Sequence, residues 1–178
     1  MRVLLDGVGS AVLADSLVPG LAGAGRQPLR VSAHDFLRPA GERFEHGRED
    51  AEAFRTTWLD APALEREVLA AVRHGRYLPA LRDPVRDRSA RQPLRDAPPR
   101  SVLLLDGVLL LGRGLSCDLV VHVALSPAAL RRRGLPPWQV EAFVEHERLV
   151  QPRRRCDVLV LAEDPARPAV QVRAPGRR

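Results

Sequence analysis

Five short, nearly uninterrupted runs of Val and Leu set the limits on how this chain folds. Residues 3–5 lead into Asp6-Gly7, 29–33 into His34-Asp35, 101–105 into Asp106-Gly107, 119–125 into Ser126-Pro127, and 158–161 into Glu163-Asp164-Pro165. A strand with one wet face alternates apolar and polar residues. Runs without that alternation are strands covered on both faces, the pattern of a parallel sheet. Helix-like stretches separate them. Residues 11–18 read as a helix capped by Ser10 and stopped by Pro19-Gly20. Within 51–73 a helix starts at Pro62, and 127–133 and 137–149 are two more. Alternating strands and helices predict an α/β domain with helices on both sides of the sheet.

The chain has 178 residues, of which 45% are hydrophobic and 28% charged. That supports one globular domain rather than two. No apolar run reaches membrane-spanning length. Asp6 interrupts the first apolar run too early for a signal peptide. Two cysteines, Cys117 and Cys156, are too few for a disulfide framework. The expectation is a cytoplasmic protein with two reduced thiols.

All 28 basic residues are Arg, and the chain contains no Lys. No Schiff base and no phosphate-loop lysine can be drawn from it. The net charge of +6 favours an anionic partner. Clusters at 131–133, 153–155 and 177–178 carry much of it, and a solvated surface accounts for any one of them equally well. With one Tyr and no interleaving of aromatic and basic residues, nucleic acid is the least favoured partner.

In an open parallel sheet, ligands bind beyond the carboxyl ends of the strands. Asp6, His34, Asp35 and Asp106 would all reach that edge. Oxygen ligands there suit Mg²⁺ beside a phosphate. Each Asp is equally readable as a turn or cap residue. The first strand runs through Asp6-Gly7-Val8-Gly9-Ser10-Ala11 into a helix, and such a turn offers backbone N–H groups to an anion. A nucleoside-triphosphate loop reads Gly-x-x-x-x-Gly-Lys-Ser/Thr. Here the loop is too short and the Lys is absent.

From about Arg2 to Pro168 the chain resembles the actinobacterial uridine kinase-like proteins of the P-loop kinase superfamily. The start Arg2-Val-Leu-Leu-Asp-Gly-Val8 and the helix Leu13-Ala-Asp-Ser-Leu17 carry the resemblance. So do Val31-Ser-Ala-His-Asp-Phe-Leu-Arg-Pro39, His46-Gly-Arg-Glu49 and Trp58-Leu-Asp60. Gly75-Arg-Tyr77 through Arg82-Asp83, the strand Val102-Leu-Leu-Leu-Asp-Gly-Val108, Pro127–Arg133 and Cys156-Asp-Val-Leu-Val160 complete it. The resemblance implies a three-layer sandwich around a five-stranded parallel sheet, order 2-3-1-4-5. A single P-loop kinase-like domain would cover 1–168, with a flap at 76–100, a shortened lid at 127–155, and a basic tail at 169–178 whose end frays.

The resemblance further implies His34, Asp35 and Asp106 as catalytic residues. Gly7, Gly9, Ser10, Arg131, Arg132 and Arg133 would bind phosphate, and Arg48, Arg76, Tyr77 and Asp83 the substrate. Asp106 would hold any Mg²⁺. Trp58 and Tyr77 are able to stack on a base or to pack in the core.

The family reads Asp-Gly-Val-Asp-Gly-Ala-Gly-Lys-Thr-Thr-Leu-Ala-Asp where this chain reads Asp6-Gly-Val-Gly-Ser-Ala-Val-Leu-Ala-Asp15. Three residues, the Lys and the hydroxyl pair are gone, and His34 stands in place of the family's first Asp. Removing one preorganised donor from a transition state costs ~2.7–4 kcal/mol. Two such losses imply on the order of 10⁴-fold in rate. The leading expectation is a uridine kinase-like protein with a degraded ATP site. It would bind a nucleoside, nucleotide or phosphate ester without efficient transfer, as a pseudoenzyme or a repurposed one. An active phosphotransferase using Arg131–Arg133 in place of the lysine stays open, as does an arginine-rich binding module. A homodimer is compatible with the sequence. His122 reads as a core or strand-end residue. Glu145-His146-Glu147 lacks the second His of a zinc site.

Overall fold

A computed structural model describes residues 1–173. Its centre is a six-stranded sheet built from β1 (Arg2–Asp6), β2 (Gln27–Ser32), β7 (Ser101–Gly107), β8 (Leu119–Ala124), β9 (Val158–Leu161) and β10 (Ala169–Val172). Between β2 and β7 lie two small antiparallel ladders. One pairs β3 (Arg76–Tyr77) with β6 (Arg95–Asp96), and the other pairs β4 (Arg82–Asp83) with β5 (Arg88–Ser89).

The sheet order is β10-β9-β8-β1-β7-β2. The expected five-stranded, all-parallel sheet is corrected in its strand count; the five parallel strands among the six follow the order β2-β7-β1-β8-β9. There are six strands, and the outermost, β10, runs antiparallel to β9. The sixth strand went unread because Ala169-Val-Gln-Val172 sits in a segment rich in Pro and Arg and is exposed at the sheet edge. The expected fraying of the chain's end falls outside the described residues.

The apolar runs behave as double-sided strands. Leu4, Leu103 and Leu105 enter one core cluster with Val31, Phe36, Leu64 and Val68. Val3, Leu5, Val102, Leu104 and Val121 enter the other, under the first helix. Successive side chains of a strand point to opposite faces, so unbroken apolar runs supply two cores at once.

The helix α1 (Ser10–Gly23) departs from expectation at both ends. Ser10 does not cap it; the cap is Gly9, with φ 97°, and makes no side-chain bond. Ser10 Oγ instead donates to Gly107 O at 3.0 Å. Nor does Pro19 stop the helix, although an internal proline costs roughly 3 kcal/mol. Leu13, Leu17, Val18 and Leu21 all pack on the second core cluster. Keeping Leu21 on that face outweighs one lost backbone bond.

Short helices α2 (Ala40–Arg43), α3 (Ala51–Thr56) and α4 (Ala61–Leu64) follow β2. The last continues as a π-helical run, Glu65–Ala70, and a tight turn, Ala71–His74. Asp60 caps α4 by accepting from Ala63 N at 3.0 Å, with Pro62 in its first turn. Beyond β8 come α5 (Pro127–Arg132), α6 (Pro137–Val150) and α7 (Pro152–Arg155). None of the described helices is long and apolar enough to cross a membrane.

Candidate functional site

Four parallel strands deliver Asp6, Ser32, Asp106 and His122 to one sheet edge. The register sets Asp6 opposite Gly107 and His122, and Ser32 opposite Asp106. A crevice of about 440 Å³ opens there. Gly7, Gly9, Ser10, Ser32, His34 and Asp106 form its floor, and Leu37, Arg43, Phe54, Trp58, Arg113 and Gln139 its walls. The volume lies within the usual range for small-molecule sites.

The loop at its floor is closed on itself. Gly7 N donates to Gly107 O at 2.9 Å, and Ser10 N donates to Gly7 O at 3.1 Å. Gly7 has φ 111° and is jammed against β8, where an added Cβ would lie 2.3 Å from Val123 O. Gly9 faces the end of α5, and a Cβ there would meet Arg133 Nη1 at 3.3 Å. Arg133 is itself anchored by donating from Nη2 to Ala162 O at 2.9 Å. Of the 131–133 cluster, this residue reaches the loop. Arg132 faces Glu163 at 3.8 Å from an exposed position, and Arg131 is exposed.

Asp106 is 2% exposed, and both of its oxygens are engaged. Arg30 Nε donates to Oδ1 at 3.0 Å, and Ser32 Oγ donates to Oδ2 at 3.4 Å. Arg30 is also paired with Asp15 of α1. Mg²⁺ requires near-octahedral oxygen ligation and usually keeps several waters. A carboxylate already occupied by a guanidinium does not fit that demand. Among the described residues, no group of three His, Cys, Asp or Glu side chains is placed to hold a metal.

His34 is exposed at the crevice, while Asp35 is half-buried and does not line it. Burial pushes the Asp35 carboxyl above the usual range; His34 opposes the shift, and Asp106 and Asp83 add to it. The four proposed substrate residues do not line the crevice. Tyr77 is 4% exposed and belongs to the core. Arg48 lies over the Phe44 ring at 5.0 Å. Arg76 faces Asp96 at 3.7 Å. Asp83 accepts from Val85 N and Arg86 N within its own flap turn. Those bonds, the Arg86 one foremost, hold its carboxyl below the usual range.

The walls contain residues that sequence reading passed over. Arg43 is 7% exposed. Burial lowers its pKa and that of Arg113, and Asp87 and Asp6 respectively oppose the shift. Arg113 donates to the carbonyls of Leu109, Thr56 and Arg55, which secures the end of α3. Phe44, Phe54, Trp58, Trp138 and Phe143 form a continuous edge-to-face and tilted cluster with centroids 5.0–6.1 Å apart, tying α6 to α3. The Trp58 indole N–H is buried without a hydrogen-bond partner among the described residues.

On the far side of the loop, Asp6 is 1% exposed. Its Oδ1 accepts from Leu110 N at 2.8 Å, and its Oδ2 lies 2.9 Å from His122 Nδ1. Nearby His146 is 5% exposed, and burial holds its pKa down at about 4. Cys117 and Cys156 form no disulfide, and burial pushes the Cys156 thiol up.

No protein-family model matches the chain, and no curated protein matches it. Solved structures do. A protein described as a possible uridine kinase from Bacillus stearothermophilus aligns with a TM-score of 0.68 at 18% identity, covering 89% of this chain and 85% of that one. A phosphoribulokinase from Rhodobacter spheroides aligns with a TM-score of 0.48 at 13% identity, covering 90% and 68%. The chain shares the fold of that possible uridine kinase. At this level of identity the likeness is one of fold, and activity rests on the site.

Proposed function

We propose that this protein is a uridine kinase-like pseudoenzyme or repurposed enzyme. Its crevice binds a nucleoside or a phosphorylated small molecule and does not transfer phosphate efficiently from ATP. The closed loop carries this reading. Gly7 N and Ser10 N bond within the chain instead of facing a ligand, no lysine exists to bridge outer phosphates, and Ser10 Oγ is turned onto Gly107 O. Phosphoryl transfer depends on positioning and charge neutralisation, which these groups would supply. The crevice itself persists, with aromatic walls and the cationic Arg43 and Arg113, and so suits a ring bearing an anionic group.

A second reading is favoured by one observation. Arg133 reaches the loop at Gly9, and Arg binds phosphate in bidentate fashion. An active phosphotransferase would use it in place of the lysine, with His34 or Asp35 as base. Phosphate transfer from ATP to a panel of nucleosides separates the two. The pseudoenzyme reading expects no turnover above background in the wild type. Turnover at ordinary kinase rates that is abolished by Asp106→Ala and reduced by Arg133→Ala would establish the second reading.

A further inference from the structure

We infer that Arg30 is a built-in counter-cation of Asp106, holding the position that a divalent ion would otherwise take, so that the crevice works without metal. Arg30 and Ser32 are two residues apart on β2 and therefore share one face of the sheet. Ser32 is in register with Asp106 on β7. From two residues back, the Arg30 side chain runs along the strand and delivers Nε to Asp106 Oδ1 at 3.0 Å. Ser32 takes the other oxygen. Asp15 on α1 holds the outer end of the same guanidinium. The Asp106 side chain is 3% exposed and that of Arg30 33%, so the pair is screened on the carboxylate side.

A cation approaching Asp106 would have to displace the guanidinium or sit beside it. The first breaks a charge-assisted hydrogen bond, and the second sets two positive charges together. Mg²⁺ also gives up its water reluctantly. With the strand-end carboxylate neutralised from within, the remaining charged side chains lining the crevice are the Arg43 and Arg113 guanidinia. The anionic group of a ligand is then met by arginine, without a bridging metal.

This deepens the pseudoenzyme reading, and the test uses the metal alone so that the two fail separately. Mn²⁺ is titrated into the full chain, with bound ion read by electron paramagnetic resonance. The samples are wild type, Arg30→Gln, Arg30→Lys, Asp106→Asn and the double variant Arg30→Gln/Asp106→Asn, each checked for folding by circular dichroism. The wild type and Asp106→Asn are expected to bind alike. Arg30→Gln is expected to gain affinity of about tenfold or more, the effect of removing one like-charge juxtaposition. Arg30→Lys retains the charge and gains none, and the double variant loses what Arg30→Gln gained. A purely structural tie between α1 and the sheet would produce no such gain. Mn²⁺ binding in the wild type that Asp106→Asn removes overturns the inference, and that arm needs no Arg30 variant to fold. A folded Arg30→Gln protein that gains nothing overturns it as well. Metal at Asp106 without ATP turnover would leave the pseudoenzyme reading standing.

Discussion

The chain writes Leu-Leu-Asp-Gly-Val twice, at 4–8 and at 104–108, and the two copies end adjacent parallel strands. Their fates differ. Asp6 points into the protein, bonded to Leu110 N and His122 Nδ1. Asp106 faces the crevice and is held by Arg30 and Ser32. Gly7 adopts φ 111° and lies against Val123 O, whereas Gly107 lacks the left-handed backbone and is confined by the Ala33 and Leu110 side chains. Identical pentapeptides thus acquire different chemistry from their neighbours. The β1 copy has its carboxylate bonded to β8 and to the chain beyond β7, and the β7 copy has its carboxylate at the crevice.

The largest effect expected from breaking this contrast is at the glycines. Gly7→Ala combines a strained φ with a Cβ 2.3 Å from a backbone oxygen. It should destabilise by roughly 3–5 kcal/mol. Gly107→Ala meets the Ala33 Cβ at 2.7 Å and flexible Leu110 methyls at 3.1 and 3.2 Å. A cost of about 1–3 kcal/mol is expected. Urea denaturation of the two variants reads the difference, and equal costs would remove the distinction.

Next come the carboxylates. Asp6→Ala strands the Leu110 N–H and leaves His122 without its partner in the interior, at a cost of about 3 kcal/mol. Asp106→Asn leaves Arg30 half-exposed and still paired with Asp15. It should cost about 2 kcal/mol, the loss of one charge-assisted hydrogen bond at a nearly buried carboxylate. Thermal melts at neutral pH order the pair.

A third effect follows from pH and concerns His146, on the Asp6 side. The folded His146 titrates near 4 against an ordinary 6.5, because burial disfavours its charged form. The unfolded chain therefore binds the proton first as pH falls. Stability from this residue is present above about 6.5 and drains away towards 4, by at most on the order of 3 kcal/mol. His146→Gln should flatten the stability profile between those values. A profile as steep as that of the wild type would show that His146 is not the group responsible.

The smallest effect is at the end of α5. Arg131→Ala should change stability by within about 0.5 kcal/mol, as befits an exposed side chain. Arg133→Ala should cost more, since it loses the bond to Ala162 O and its packing over Gly9.

The five apolar runs were legible because a doubly buried strand has nowhere to place polar residues. The absence of a lysine from the loop was legible because it is visible without coordinates. Other features depended on information that one chain segment does not contain. The Arg30–Asp106 pair needs the β2–β7 register, which no local pattern encodes. Arg43 and Arg113 carry no signal in a chain whose 28 basic residues are all Arg. The continuation of α1 through Pro19 followed from the packing of Leu21, a tertiary effect that overrides local propensity. The sequence leaves Tyr77 open between stacking on a base and packing in the core, and the structure places it in the core.

The most direct test is a crystal of the protein soaked with ATP and magnesium. With the loop closed on Gly107 O, no β- or γ-phosphate should be bound to the amides of residues 7–13, and the Asp106–Arg30 pair should remain intact. A triphosphate held by those amides, with a magnesium ion on Asp106, would contradict the reading of the site.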